Sequence, residues 1–226
     1  MHTNMINRRQ MLAGAAALSG LTLAGCASVP PPKVQPAPKP VQPYIPPNIL
    51  AHYGPRPDER FPVRAANITD MDPRFYRQMV DDPTGEPPGT VVVDTPSRFL
   101  YWVMPGGRAM RYGAGIGRDG FAWGGRARIA YKRKWPTWTP PVAMIERQPE
   151  LEQYRNGMEP GLTNPLGARA LYIHEGGRDT LYRVHGTMEE WSIGKAVSSG
   201  CVRLLFQDVI DLCERVPDGS PILVRQ

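Results

Sequence analysis

Proline and glycine set the first limit on this fold. The chain holds 26 prolines and 23 glycines in 226 residues. Proline fixes φ and removes a backbone donor, and glycine weakens helices, so a chain punctuated this often cannot run in long helices. Short segments joined by turns, and therefore a β-rich fold, are what it can build. The length suits one sizeable domain with attachments.

The prolines are unevenly spread. Nine fall between Pro30 and Pro47, in "PPPKVQPAPKPVQPYIPP". This run predicts a stiff polyproline-II-like spacer of about 55 Å that cannot enter a helix or a sheet interior. Ahead of it, "NRRQMLAGAAALSGLTLAGC" sets a twin arginine before an apolar stretch from Met11 to Ala24. The stretch is shorter than the ~20 apolar residues that cross a bilayer, and it reads as an export signal. "RRQML" resembles the twin-arginine export motif. "LAGC" resembles the bacterial lipobox, in which the cysteine, here Cys26, carries lipid after cleavage. The expected organisation is a signal peptide over 1–25, a lipid-anchored proline-rich linker over 26–47, an extension over 48–89 and a folded domain over 90–226. Ala27 follows the lipobox cysteine, and the sorting rule for such lipoproteins then points to the periplasm and the outer membrane.

The formal charge is +6, and two of those charges, Arg8 and Arg9, belong to the signal. The remaining basic excess fits an anionic polymer or membrane as partner, and equally a solvated surface. No nucleic-acid motif or sustained basic run is present, so no nucleic-acid partner is expected.

Within 48–89, Asp72 and Pro73 suit the start of a short helix. From Thr90 the pattern turns to short β-like runs: "TVVVDT", "FLYWVM", "AMRYGAGIG", "RARIAYKR", "ARALYIHE", "TLYRVHG" and "PILVRQ". Seven such runs predict a mainly β fold, a sandwich or small barrel with a few short helices. Two helical segments interrupt them. One is "PVAMIERQPELEQYRNG". The other is "LLFQDVIDLCERV", which begins three residues after Cys201 and has Leu205, Val209, Leu212, Cys213 and Val216 on one face. Gly115 to Gly120 fits G-x-G-x-x-G, but "FAWGGRAR" follows instead of a helix, so it reads as a strand with tight turns rather than a dinucleotide site.

With Cys26 lipidated, Cys201 and Cys213 remain as thiols. They could pair in an oxidising compartment, yet Cys213 falls on the apolar helix face, where a buried thiol is expected. Cys201 lies in a Ser-Ser-Gly-Cys turn, exposed and close to a helix N-terminus that would lower its pKa. Of four histidines, His185 stands out: it ends a β-like run, and Gly186 lets another segment come close. A thiol needs a base to become a nucleophile at neutral pH. The order, His185 and then Cys201 sixteen residues on, does not suit papain-like peptidases, which place the cysteine first. The cysteines and histidines lack zinc spacing, so neither metal nor cofactor is expected.

The segment "HGTMEEWSIGKAVSSGCVRL", with "NPLGARALYI", "WPTWTPP" and "DVIDLCERVPDGSPI", resembles the YkuD-type L,D-transpeptidases of the ErfK/YbiS kind over roughly Thr90 to Gln226. The resemblance implies a mainly β, sandwich-like catalytic domain acting on peptidoglycan stem peptides. It implies Cys201 as nucleophile on the L-centre of diaminopimelate in a tetrapeptide, with release of D-Ala. The thioester would pass to an amine, giving a 3-3 cross-link or attachment of an outer-membrane protein, or to water, giving an L,D-carboxypeptidase. His185 would be the base and the Gly186 carbonyl its orienter. The Gly200 and Cys201 amides would form an oxyanion hole. Arg203 would fix the turn, meet a substrate carboxylate, or form a structural salt bridge. Trp135, Trp138 and Trp191 would wall the cleft or pack in the core. Ser199 stands where the family usually has histidine, which leaves the base function to His185. His174 is expected to be structural. Two other readings stay open: a sortase-like cysteine transpeptidase, and a non-catalytic wall-binding lipoprotein.

Overall fold

The β-like runs pair into one nine-stranded sheet, seen in a computed structural model that describes residues 44–117, 123–198 and 200–226. The export signal, Cys26, most of the proline spacer and Ser199 lie outside the described residues. The strands are β1 (Gln78–Asp81), β2 (Val91–Asp94), β3 (Phe99–Met104), β4 (Arg108–Gly113), β5 (Ile116–Gly117), β6 (Gly125–Lys134), β7 (Arg169–Glu175), β8 (Arg178–Thr187), β9 (Ala196–Ser198), β10 (Val202–Leu205) and β11 (Pro221–Arg225). The sheet order is β1-β4-β3-β2-β11-β6-β7-β8-β10, and β5 and β9 form a separate pair.

The fold is mainly β, as the punctuation requires. Val91, Val93, Leu100 and Tyr112 from one half of the sheet share a cluster with Leu171, Ile173, Val184, Val202 and Leu204 from the other half. The sheet therefore curls over a common core. Reciprocal backbone hydrogen bonds between Gly115 and Arg203, at 2.9 and 2.8 Å, tie the chain beyond β4 to the edge strand β10. Helix α3 (Phe206–Arg215) fills that core with Val209, Leu212 and Cys213.

Three local expectations need correction. The stretch from Val142 makes only a six-residue α2 (Val142–Arg147), followed by a separate 3-10 turn from Pro149 to Tyr154. Pro149 cannot continue a helix from α2, and Gln148 before it is extended. The helix after Cys201 begins at Phe206, not within three residues, because Val202–Leu205 pairs in parallel with β8. The spacer does reach a helix: Pro47 is the first residue of α1 (Pro47–His52), a position where its missing N–H costs nothing.

Asp72 accepts a hydrogen bond from the Arg74 amide and caps a single 3-10 turn (Pro73–Phe75), after which the chain joins the sheet as β1. The segment before β2 then covers the outer side of α3. Tyr53 donates to Asp208, Arg77 faces Asp208 and Asp211, and Gln207 donates to the carbonyls of Gly54 and Arg64. Gln207 and Asp208 are buried as a result, Phe206 and Ile210 are buried in a cluster with Val63, Trp135 and Ala168, and α3 is enclosed on nearly all sides.

Candidate active site

The β7–β8 hairpin turns at Gly176 and Gly177 and carries His185 near the end of β8. Strand β10 lies parallel to β8, with Val202 opposite Val184 and Arg203 opposite His185. Alternation along the strands sends Val184 and Val202 into the core, and His185 and Arg203 to the other face. Cys201 stands one residue before β10, where its thiol receives a backbone hydrogen bond from Arg183. The charges of Arg183 and Arg203 act on both His185 and Cys201, which places the ring and the thiol in one electrostatic neighbourhood.

Gly186 has a steric reason to be glycine. A Cβ there would lie 2.8 Å from the Phe206 ring and 3.1 Å from Val209, so the segment it admits is α3. The Gly186 carbonyl lies 3.0 Å from His185 Nδ1. A carbonyl only accepts, so Nδ1 carries the proton and Nε2 keeps its lone pair. Burial, with smaller contributions from the Arg203 and Arg183 charges, lowers the His185 pKa to about 4 against the opposing effect of that carbonyl. The ring is neutral at physiological pH and can accept a proton through Nε2. Burial also raises the Cys201 pKa, partly offset by the Arg183 backbone and the two guanidinium charges. The resting state at neutral pH is a neutral imidazole and a neutral thiol.

The turn into Cys201 is held by Ser198, whose buried hydroxyl donates to the Cys201 carbonyl at 2.6 Å and accepts from the Gly200 amide at 3.3 Å. Gly200 adopts φ +121°, open to glycine and strained for other residues. The Gly200 amide is thus engaged and is not free for an oxyanion. The Cys201 amide has no hydrogen-bond partner among the described residues.

Cys201 lines a cavity of about 410 Å³ with Trp138, Met144, Leu166 and Tyr182 among its walls. Of the three tryptophans, only Trp138 belongs there. Trp135 is buried, donates to Glu59 at 2.8 Å and meets Phe61 and Phe206 edge-on, so it is a core residue. Trp191 is exposed on the rim of a different cavity, with Asn67, Asp70 and Met71. Arg203 pairs with Glu189 at 2.7 Å, the structural role among those expected for it. His174 packs edge-on to Tyr131 and is not part of the Cys201 cavity. Among the cavity residues outside the quoted motifs are Met144, Arg147, Tyr182 and Arg183. Arg183 could have been found, since it sits two residues before His185 on the same strand face.

Residues 88–224 match the model of the YkuD family, the L,D-transpeptidase catalytic domain. The chain belongs to this family. A Fuscovulum blasticum protein named "Putative L,D-transpeptidase in ATP synthase subunits region ORF 5" is 31% identical over 160 residues, which cover 70% of this chain and 79% of that protein. "Probable L,D-transpeptidase YbiS" of Escherichia coli K12 is 34% identical over 145 residues, 59% of this chain. The chain spans only 43% of the length of YbiS. Among solved structures, a "Probable carnitine operon oxidoreductase caia" from Brucella melitensis is 45% identical, covering 68% of this chain and 96% of that one, with a TM-score of 0.48. Family membership removes the sortase-like alternative. The L,D-transpeptidase match begins only at residue 88, so the segment that encloses α3 from outside precedes it.

Proposed function

We propose that the protein is a peptidoglycan L,D-transpeptidase with Cys201 as nucleophile and His185 as base. Sγ attacks the carbonyl of the diaminopimelate L-centre in a stem tetrapeptide, and the thiol proton passes to His185 Nε2. The bond to D-Ala breaks, and the proton leaves on the departing amine. An acceptor amine then attacks the thioester, returns a proton to Nε2 and frees the thiol. A second diaminopimelate gives a 3-3 cross-link, an envelope protein gives an anchored protein, and water gives a carboxypeptidase product. The Cys201 amide is the oxyanion donor in this scheme. Export, lipidation at Cys26 and attachment to the outer membrane are part of the same proposal, and the proline run would hold the domain away from the membrane.

What carries this reading is the parallel β8–β10 register, which sets His185 beside Arg203 and brings Cys201 to the wall of the cavity. The test is to mix the protein with a carbapenem and weigh it, then to supply purified tetrapeptide and separate the products. A covalent adduct on Cys201 and loss of D-Ala are expected. A protein that binds peptidoglycan without forming an adduct or releasing D-Ala would be a non-catalytic wall-binding lipoprotein instead.

A further inference from the structure

The cavity at Cys201 is lined by two guanidinium groups, and they are in different states. Arg183 is occupied: it makes two 2.7 Å hydrogen bonds to the Asp179 carboxylate and lies 4.2 Å from the centre of the Tyr172 ring. Arg147, in the last turn of α2, is exposed and has no ion pair or hydrogen bond among the described residues. No aspartate or glutamate is among the described residues that line this cavity. It therefore carries one uncompensated positive charge, and that charge is Arg147.

The walls strengthen whatever that charge meets. Trp138, Met144, Leu166 and Leu181 supply apolar surface, which lowers the local dielectric and raises the value of an ion pair. A guanidinium offers two parallel N–H groups that match a carboxylate, a geometry that lysine does not reproduce. If the proposed reaction is right, the donor brings such groups: the terminal D-Ala carboxylate and the carboxylate at the D-centre of diaminopimelate.

We infer that Arg147 binds a carboxylate of the donor peptide and so selects acidic over amidated stem peptides. The inference rests on the proposed function. Arg147 is a specificity residue here, because its charge is unspent and it shares a cavity with the nucleophile. It is not assigned to the proton transfer, which remains with His185.

The experiment measures kcat and KM for the full chain and for Arg147→Gln and Arg147→Lys. Three tetrapeptide donors are used: the free acid, one amidated at the diaminopimelate D-centre, and one amidated at the terminal D-Ala. Arg147 is on the surface, so the variants should fold, and circular dichroism checks it. With the free acid, Arg147→Gln should raise KM about tenfold, the scale of one charge-assisted pair in a partly open site, with kcat within about twofold. Arg147→Lys should recover part of the loss. The amide that costs the wild type about tenfold but costs Arg147→Gln nothing identifies the carboxylate that is bound. The inference is overturned if Arg147→Gln leaves KM for the free acid unchanged. It is equally overturned if the variant loses the same factor on all three donors. Wild-type turnover with an insensitive Arg147→Gln removes only this inference, whereas a wild type that turns over none of the donors removes the proposed function with it.

Discussion

Burial raises the pKa of both free thiols in the described structure, yet only one of them has reason to react. Cys213 sits on the core face of α3 against the sheet, its pKa pushed up to about 12. Cys201 is also raised by burial, but it is part-exposed and opens onto the cavity; both thiols have cations nearby, Arg183 and Arg203 for Cys201, Arg169 and Lys132 for Cys213. Desolvation alone therefore does not separate an inert thiol from a nucleophile. In the proposed mechanism access and the neutral imidazole of His185 do, since cations act on both thiols. The two stretches are adjacent in the chain, since β10 runs directly into α3. One short strand divides the proposed nucleophile's turn from a packed helix.

The sharpest way to break this contrast is to remove each thiol. Cys201→Ser should abolish the carbapenem adduct and D-Ala release altogether. Cys213→Ser should be acylated at the wild-type rate, but lose about 1–3 kcal/mol of stability in denaturant titration, because it leaves a hydroxyl in an apolar core. Retained acylation in Cys201→Ser, or lost acylation in a folded Cys213→Ser, would invert the assignment.

His185→Ala comes next in size. Removing the base should slow acylation by about 10²–10⁴-fold, the usual contribution of a positioned base. The Cys213 environment should not change, since the His185 ring points away from the core face. Stopped-flow acylation measures this, and a wild-type rate would show that His185 is not the base.

Much of this contrast was readable in the chain. Seven β-like runs correspond to strands, and the spacing of Val209, Leu212 and Cys213 marks the face of α3 that packs on the sheet, whereas Leu205 belongs to β10 and the other buried faces of α3 have no such signal. His185 and Cys201 stood out because chemistry demands a base and a thiol. The short strands β1, β9 and β10 were not readable, because a four-residue run such as Val202–Leu205 is apolar enough for either a buried strand or a helix start. Only its pairing with β8 decides, and that pairing is long-range. Trp135 takes the core alternative of its two readings, and the choice is long-range as well: its indole is held by Glu59 and Phe61, residues from a segment that local sequence leaves almost blank. In the sequence Ser198 reads only as part of a Ser-Ser-Gly-Cys turn. Its value lies in two hydrogen bonds that close the turn into Cys201, and neither follows from residue type.

A pH profile tests the state of the base. His185 has a folded pKa of about 4, below the ordinary histidine value, because burial opposes its charge. Acylation should hold from neutral pH down to about 4 and then fall by about tenfold per pH unit as Nε2 becomes protonated. The same lowered pKa has a cost in stability. The unfolded chain takes up the proton first, so stability declines as pH falls from about 6.5 through about 4. Circular dichroism along the titration separates this loss from loss of chemistry. An acid limb near 6.5 in folded protein would mean that the ring is more solvated than its 5% exposure indicates.

Arg203 should have the smallest effect, and its sign is mixed. Its guanidinium lowers the pKa of His185 and of Cys201 together. Arg203→Gln should therefore raise both: the base becomes stronger and the thiol a weaker acid. These changes oppose each other at neutral pH, and the Arg203–Glu189 pair is partly open to solvent, which screens it. The net change in acylation rate should stay within about threefold. The pH limbs carry the information instead: the acid limb should move up from about 4, and the alkaline limb of iodoacetamide labelling at Cys201 should move up as well. A loss of a hundredfold with both limbs unmoved would mean that Arg203 leaves Glu189 to hold a substrate carboxylate. In that case the division between a structural Arg203 and a substrate-facing Arg147 would have to be redrawn.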